Sequence, residues 1–203
     1  RVRARCAASS GFCRGLPAGA RARRSRAHFS IKCSVMIWLL VDSSTIGGIE
    51  SHITRLATSL NDAGYSCEVV LLDDHGPNPW LEQLRSARVP YRLLNGTIRG
   101  LRRALADARP ELLHTHGYKA NIFGRFAGRS LSIPVVSSFH AGERGFFPVN
   151  LYQHIDELSA CLGGRIAVSE AIRAQLPYRA ELVENFVVIP PEPQWRADSR
   201  RIG

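Results

Sequence analysis

Three short clusters in this sequence have residue types and spacings that could do chemistry. The first is Ser43-Ser44-Thr45-Ile46-Gly47-Gly48, a polar stretch that closes on paired glycines. Paired glycines let a backbone approach a ligand closely. Where they open a helix, the unpaired N–H groups and partial positive charge suit a diphosphate. The stretch is not a GxGxxG fingerprint, and no acidic residue ends the next strand in the dinucleotide manner, Asp73 and Asp74 coming nearest. A tight turn with no ligand is the alternative.

The second cluster is His114-Thr115-His116-Gly117-Tyr118-Lys119. On a strand, a period of two puts both histidines on one face and Thr115 on the other. No third and fourth ligand is spaced locally for zinc, so no metal is expected. His114 is expected to be a packed, hydrogen-bonded core residue and His116 to end the strand facing a cleft. Tyr118 and Lys119 then fall at the next helix start, where Lys119 suits a phosphate or an acidic acceptor, or is simply a solvated charge. The third cluster is Phe139-His140-Ala141-Gly142-Glu143-Arg144-Gly145. A histidine ending a buried strand, followed by a loop with both charges, fits an active site. Its imidazole can donate to a sugar hydroxyl or a leaving phosphate oxygen near neutral pH. A satisfied structural histidine is the plainer reading.

These clusters need a scaffold that gathers them. Met36–Val41 is a continuous apolar run of strand length, as in a strand buried on both faces. Further strands are expected at Cys67–Leu72, Val89–Leu94, Leu112–His116, Pro134–Phe139, Arg165–Val168 and Val187–Ile189. Between them lie helical patterns at Ile49–Gly64, Pro79–Arg88, Ile98–Ala108 and Lys119–Arg129. A helix through Leu151, Ile155, Leu158 and Leu162 follows, then one capped by Ser169 and stopped by Pro177. This alternation predicts a single α/β domain: a doubly wound, Rossmann-like parallel sheet over residues 36–190. Ligands of such sheets bind at the carboxyl ends of the strands, where all three clusters fall.

The formal charge of +10 invites a nucleic-acid reading, yet residues 1–35 hold nine of the 27 basic groups and no acid. The rest carries 18 basic and 17 acidic groups, so no basic folded face for nucleic acid is expected. The tail lacks the apolar residues to order itself and is expected to be disordered. Because Met36 is the only methionine, the tail reads as upstream read-through, with a targeting or anchoring segment as the alternative. No apolar run is long enough to span a bilayer. Five cysteines without CxxC or metal spacing fit buried, reduced thiols at Cys67 and Cys161 and a reducing, cytoplasmic setting. Pro190, Pro191 and Pro193 read as a linker, and 191–203 as the start of a further domain that the sequence does not contain.

In this order, the segments resemble the N-terminal, acceptor-side domain of family 4 glycosyltransferases of the two-domain GT-B type, over about residues 36–190. Gly47-Gly48-Ile49-Glu50-Ser51-His52-Ile53 is similar to that family's glycine-pair loop and helix start. Leu112–Gly117 is similar to its H-x-H segment, Pro134–His140 to its P-V-V-x-T-x-H strand, and Ile166–Ser169 to its V-A-V-S strand. Asn185 matches its linker-side asparagine. Glu111 stands where the family usually carries an acid before the H-x-H strand. The resemblance implies transfer of a hexose from a UDP- or GDP-sugar, used as substrate, with retention of configuration and no cofactor. It implies Gly47 and Gly48 at the donor diphosphate and His140 at the transferred sugar. His116, Tyr118 and Lys119, with Glu143 and Arg144, would lie on the acceptor side, for a lipid, glycan or small-molecule acceptor. The donor-binding half of that family is not in this sequence, so an inactive fragment is expected. Members of that family often dock on the inner membrane face; Arg99, Arg102 and Arg103 offer a basic cluster for such contact, but a solvated helix face is the favoured reading of them. The competing readings are a non-catalytic α/β domain that binds a nucleotide or sugar phosphate, and a basic protein acting through its tail.

Overall fold

The computed structural model describes residues 35–140 and 146–184. The basic tail, Glu143, Arg144, Asn185, the strand expected at Val187–Ile189 and the linker lie outside those residues. Within them the strands are β1 (Met36–Val41), β2 (Ser66–Leu71), β3 (Tyr91–Leu93), β4 (Leu112–His116), β5 (Val135–Phe139), β6 (Gly164–Ala167) and β7 (Glu181–Leu182). The helices are α1 (Gly48–Asp62), α2 (Trp80–Ser86), α3 (Ile98–Ala108), α4 (Tyr118–Ser130), α5 (Val149–Ser159) and α6 (Glu170–Gln175).

All strand pairs are parallel, in the order β3-β2-β1-β4-β5-β6-β7. The chain winds outward from β1 to β3, returns to β4 beside β1, and winds outward again to β7. Sheets that reverse in this way open a crevice at the reversal, outside the strands' carboxyl ends. Here that point is the junction of β1 and β4.

The apolar run of β1 is buried on both faces. Leu39 and Val41 pack with Ile53 and Ala57 of α1 and with Trp80 and Leu84 of α2. Trp38 and Leu40 pack with Leu101 and Leu105 of α3 and Ala120 and Ala127 of α4. The Arg92 guanidinium lies 4.4 Å over the Trp38 ring and forks onto Glu68 at 2.7 and 2.8 Å, tying β3 to β2 and β1. The third strand is shorter than expected because Pro90 has no N–H to pair, although its carbonyl accepts from Val69 N–H at 2.9 Å. Glu111 accepts from the Met36 N–H at 2.6 Å and pins the start of β1.

Helix α5 forms where the spacing of Leu151, Ile155 and Leu158 predicts a helix, but the apolar stripe those residues make does not turn inward: all three are exposed, Leu158 at 67%. The buried face carries Asp156 and Ser159. The physical reason lies in α4, where Arg125 is fully buried and requires an anion and acceptors around it. Its Nη1 donates to Asp156 Oδ1 at 2.7 Å, the Asp156 carbonyl at 2.7 Å and Ser159 Oγ at 2.9 Å, and its Nε donates to Ser137 Oγ at 3.0 Å. Asn121 Nδ2 donates to the other Asp156 oxygen at 3.0 Å. Burial pushes the Asp156 carboxyl up and the Arg125 guanidinium down, and the ion pair opposes both shifts.

The cysteines also divide. Cys67 is buried in β2, where burial and neighbouring Glu68 push its thiol up to about 12. Cys161, expected to be buried, is exposed in a 3-10 turn after α5. Among the described residues no helix is long and apolar enough to cross a membrane.

Candidate functional site

The carboxyl ends of β1, β4 and β5 enclose a cavity of about 220 Å³. Its walls include Asp42 after β1, Glu50 on α1, Tyr118 and Lys119 on α4, His140 after β5, and Asp156 and Glu157 on α5. Because the strands are parallel, the loop after β1 and the end of β5 lie at one rim.

Gly47 is the N-cap of α1, with extended backbone and no side-chain cap, so the first N–H groups of the helix lack a side-chain acceptor. A Cβ added at Gly48 would meet nothing within 4 Å, which leaves open space at the helix start. The nearest anion is internal: a Cβ at Gly47 would stand 2.9 Å from Glu50 Oε2. Any incoming anion meets that carboxylate.

Strand β4 carries His114 and His116 on one face, as the period predicts, with ring centroids 4.2 Å apart. His114 Nε2 is 2.8 Å from Ser138 Oγ on β5. His116, expected to end the strand facing a cleft, lines the cavity from its floor, where it is fully buried. Its Nδ1 is 3.0 Å from His140 Nε2. His52 of α1 completes the group, 5.5 Å from His140 and 6.0 Å from His116 between centroids. The sequence reading missed His52, although it shares a helix face with Ile49, Ile53 and Leu56; a polar residue on an apolar helix face was the available signal.

Crowding and burial keep these rings neutral. Burial, then the neighbouring His140 and His52, lowers His114 to about 4. Burial and His52 lower His140 to about 4 as well. His116 is driven well below its ordinary value by burial and the other three rings, and His52 is lowered by burial and Arg55. Near neutral pH, His140 therefore acts as a hydrogen-bonding imidazole rather than as a cation. Among the described residues, no three His, Cys, Asp or Glu side chains converge as metal ligands.

On the opposite wall, Lys119 Nζ lies 2.9 Å from Asp42 Oδ2, and His75 Nε2 lies 2.8 Å from Asp42 Oδ1. Asp42 and His75 were not anticipated, and Asp42 compensates the Lys119 charge. Tyr118 stacks on Tyr152 of α5 with centroids 6.0 Å apart. His116, Tyr118, Lys119 and His140 thus line one cavity, and Gly47 and Gly48 stand directly before Ile49 and Glu50, which line it too.

Residues 47–203 match the family model described as the glycosyl transferase 4-like domain. A phosphatidyl-myo-inositol mannosyltransferase of Mycolicibacterium smegmatis is 29% identical over 140 residues, which cover 63% of this chain and 36% of the relative. Among solved structures, Anabaena HepE in complex with UDP superposes with a TM-score of 0.63 at 18% identity, covering 74% of this chain and 44% of that one. MurG of Acinetobacter baumannii gives 0.57 at 13% identity, covering 73% and 44%. These structural likenesses establish the fold. The chain spans less than half the length of each of these relatives.

Proposed function

The chain belongs to the glycosyl transferase 4-like domain family, and from that premise we propose that it is the acceptor-side half of a retaining hexosyltransferase. A nucleotide-sugar, UDP- or GDP-linked, is the donor. The C1–O bond to the diphosphate breaks, and a C1–O bond to an acceptor hydroxyl forms. The hydroxyl proton is released with the nucleoside diphosphate. Gly47 and Gly48 offer main-chain N–H groups to the donor diphosphate at the start of α1. His140 donates a hydrogen bond to the transferred sugar, which steadies it as the diphosphate leaves. Tyr118 and Lys119 line the acceptor side, with Asp42 sharing the Lys119 charge.

One observation carries this reading. The uncapped helix start at Gly47 and the imidazole of His140 share a rim, linked through His52, with a cavity beside them. The cavity's 220 Å³ is below the roughly 300–1,000 Å³ of complete small-molecule sites, which suits a site finished by another domain. HepE is described with UDP and with UDP-glucose, which supports a nucleotide-sugar donor. The mycobacterial relative's name supports a lipid among the acceptor classes and, with it, an enzyme working at a membrane face.

The test is calorimetric titration of the chain with UDP. Gly48→Val fits the open space in the free chain, so its fold should be unchanged by circular dichroism while UDP binding weakens at least tenfold. Unchanged UDP binding by Gly48→Val would remove the diphosphate from this helix.

A further inference from the structure

We propose that His116 is a positioning residue that fixes the tautomer of His140, so that His140 meets its ligand as an N–H donor through Nδ1. The inference deepens the transferase reading by specifying what the cleft histidine offers the sugar, and its evidence is the wiring between the two rings.

His116 Nδ1 and His140 Nε2 are 3.0 Å apart, so a single proton lies between them when both rings are neutral. Which nitrogen owns it follows from what else each ring touches. His116 Nε2 is buried and has no hydrogen-bond partner among the described residues. If His140 donated, the His116 proton would sit on that nitrogen as a buried, unanswered N–H, which proteins rarely tolerate. If His116 donates from Nδ1, its Nε2 is left as a bare lone pair and no donor is stranded. The second arrangement costs less. It forces the His140 proton onto Nδ1, because Nε2 is already accepting.

The surroundings hold His116 in place for this task. Its ring is fully buried, lies against His114, and His114 is itself tied to Ser138 Oγ at 2.8 Å. His116 thus has little freedom to turn and exchange its two nitrogens. The consequence for His140 is specific: it offers a ligand hydroxyl a donor, and it does not serve as a base through Nδ1.

Histidine-selective nitrogen-15 NMR on this chain at neutral pH reads the tautomer directly and needs no donor, acceptor or turnover. His140 is expected as the Nδ1–H form. In His116→Phe, which keeps an aromatic ring and removes the donor, His140 should shift towards the Nε2–H form. His116→Asn, whose amide N–H can stand near the former Nδ1, should restore the Nδ1–H form. The Nε2–H form in the unsubstituted chain would overturn the proposal, even if neither variant folds. So would an unchanged Nδ1–H form in a folded His116→Phe. Neither result bears on whether the chain binds UDP at Gly48, so the two readings fail separately.

Discussion

At the scale of single residues, the site is a set of compensated groups rather than a row of free charges. Glu50 sits beside the helix start where, on the proposed reading, a diphosphate binds, so its negative charge opposes an anion there. Glu50→Gln is expected to tighten UDP binding severalfold in the same titration; weaker binding would show that the carboxylate helps the ligand instead. The histidines give a second expectation. Folded His114 and His140 protonate only at about 4, against 6.5 for the ordinary group. As the pH falls, the unfolded chain binds protons first, so this stability is present above about 6.5 and is lost on the way towards 4. Between pH 7 and 5 each ring should cost about 2 kcal/mol. Urea midpoints should fall over that range, less steeply in His114→Gln, and a flat profile would contradict the burial described for these rings. Of these residues, His140 and the glycine pair were legible in the sequence because each ends or begins an element. Asp42, His75 and His52 were not, since their partners lie far along the chain.

At the scale of elements, α4 and α5 differ from the helices around them. Gly124 and Gly128 bring α4 so close to the sheet that an added Cβ would collide with Thr115 Cγ2 and Val135 Cγ2 respectively. Alanine favours a helix by about 1 kcal/mol over glycine, but overpacking costs roughly 1–3 kcal/mol. Gly124→Ala should therefore lower the melting temperature, and a rise would mean that the sheet yields more readily than its packing implies. For α5, the buried ion pair matters and the apolar stripe does not. Asp156→Ala strands a buried guanidinium and should cost about 3–5 kcal/mol by denaturant unfolding. Leu158→Ser, at a largely exposed position, should change stability by about 0.5 kcal/mol or less. The reverse order would place the apolar face of α5 inside. Strand β1 was readable because burial on both faces leaves an unbroken apolar run, while β4 and β5, each opening on two apolar residues before polar ones, were readable from their place in the α/β alternation. The orientation of α5 was not, because periodicity reveals an apolar stripe but not the distant Arg125 that claims the opposite face. Strand β7 is only two residues long, too short to leave a pattern.

At the scale of the whole molecule, a parallel sheet with its reversal at β1 and β4 brings together the carboxyl ends of β1, β4 and β5, where three separate sequence clusters start. The α/β alternation made that architecture legible from the sequence. On the proposed reading, transfer needs groups from a second domain to position the donor, because a reacting geometry is lost when half its contacts are missing. This chain, supplied with UDP-glucose or GDP-mannose and candidate lipid or sugar acceptors, should release no sustained nucleoside diphosphate; steady turnover would contradict the two-domain requirement. The central claim is that the glycine pair and His140 form one ligand-binding rim. An amide-resolved NMR titration of the chain with UDP-glucose tests it most directly. The account predicts that the largest shifts fall at Gly47, Gly48 and His140 while Gly163, at the far end of the sheet, stays still. No response at those three amides, or a response centred on Gly163, would contradict it.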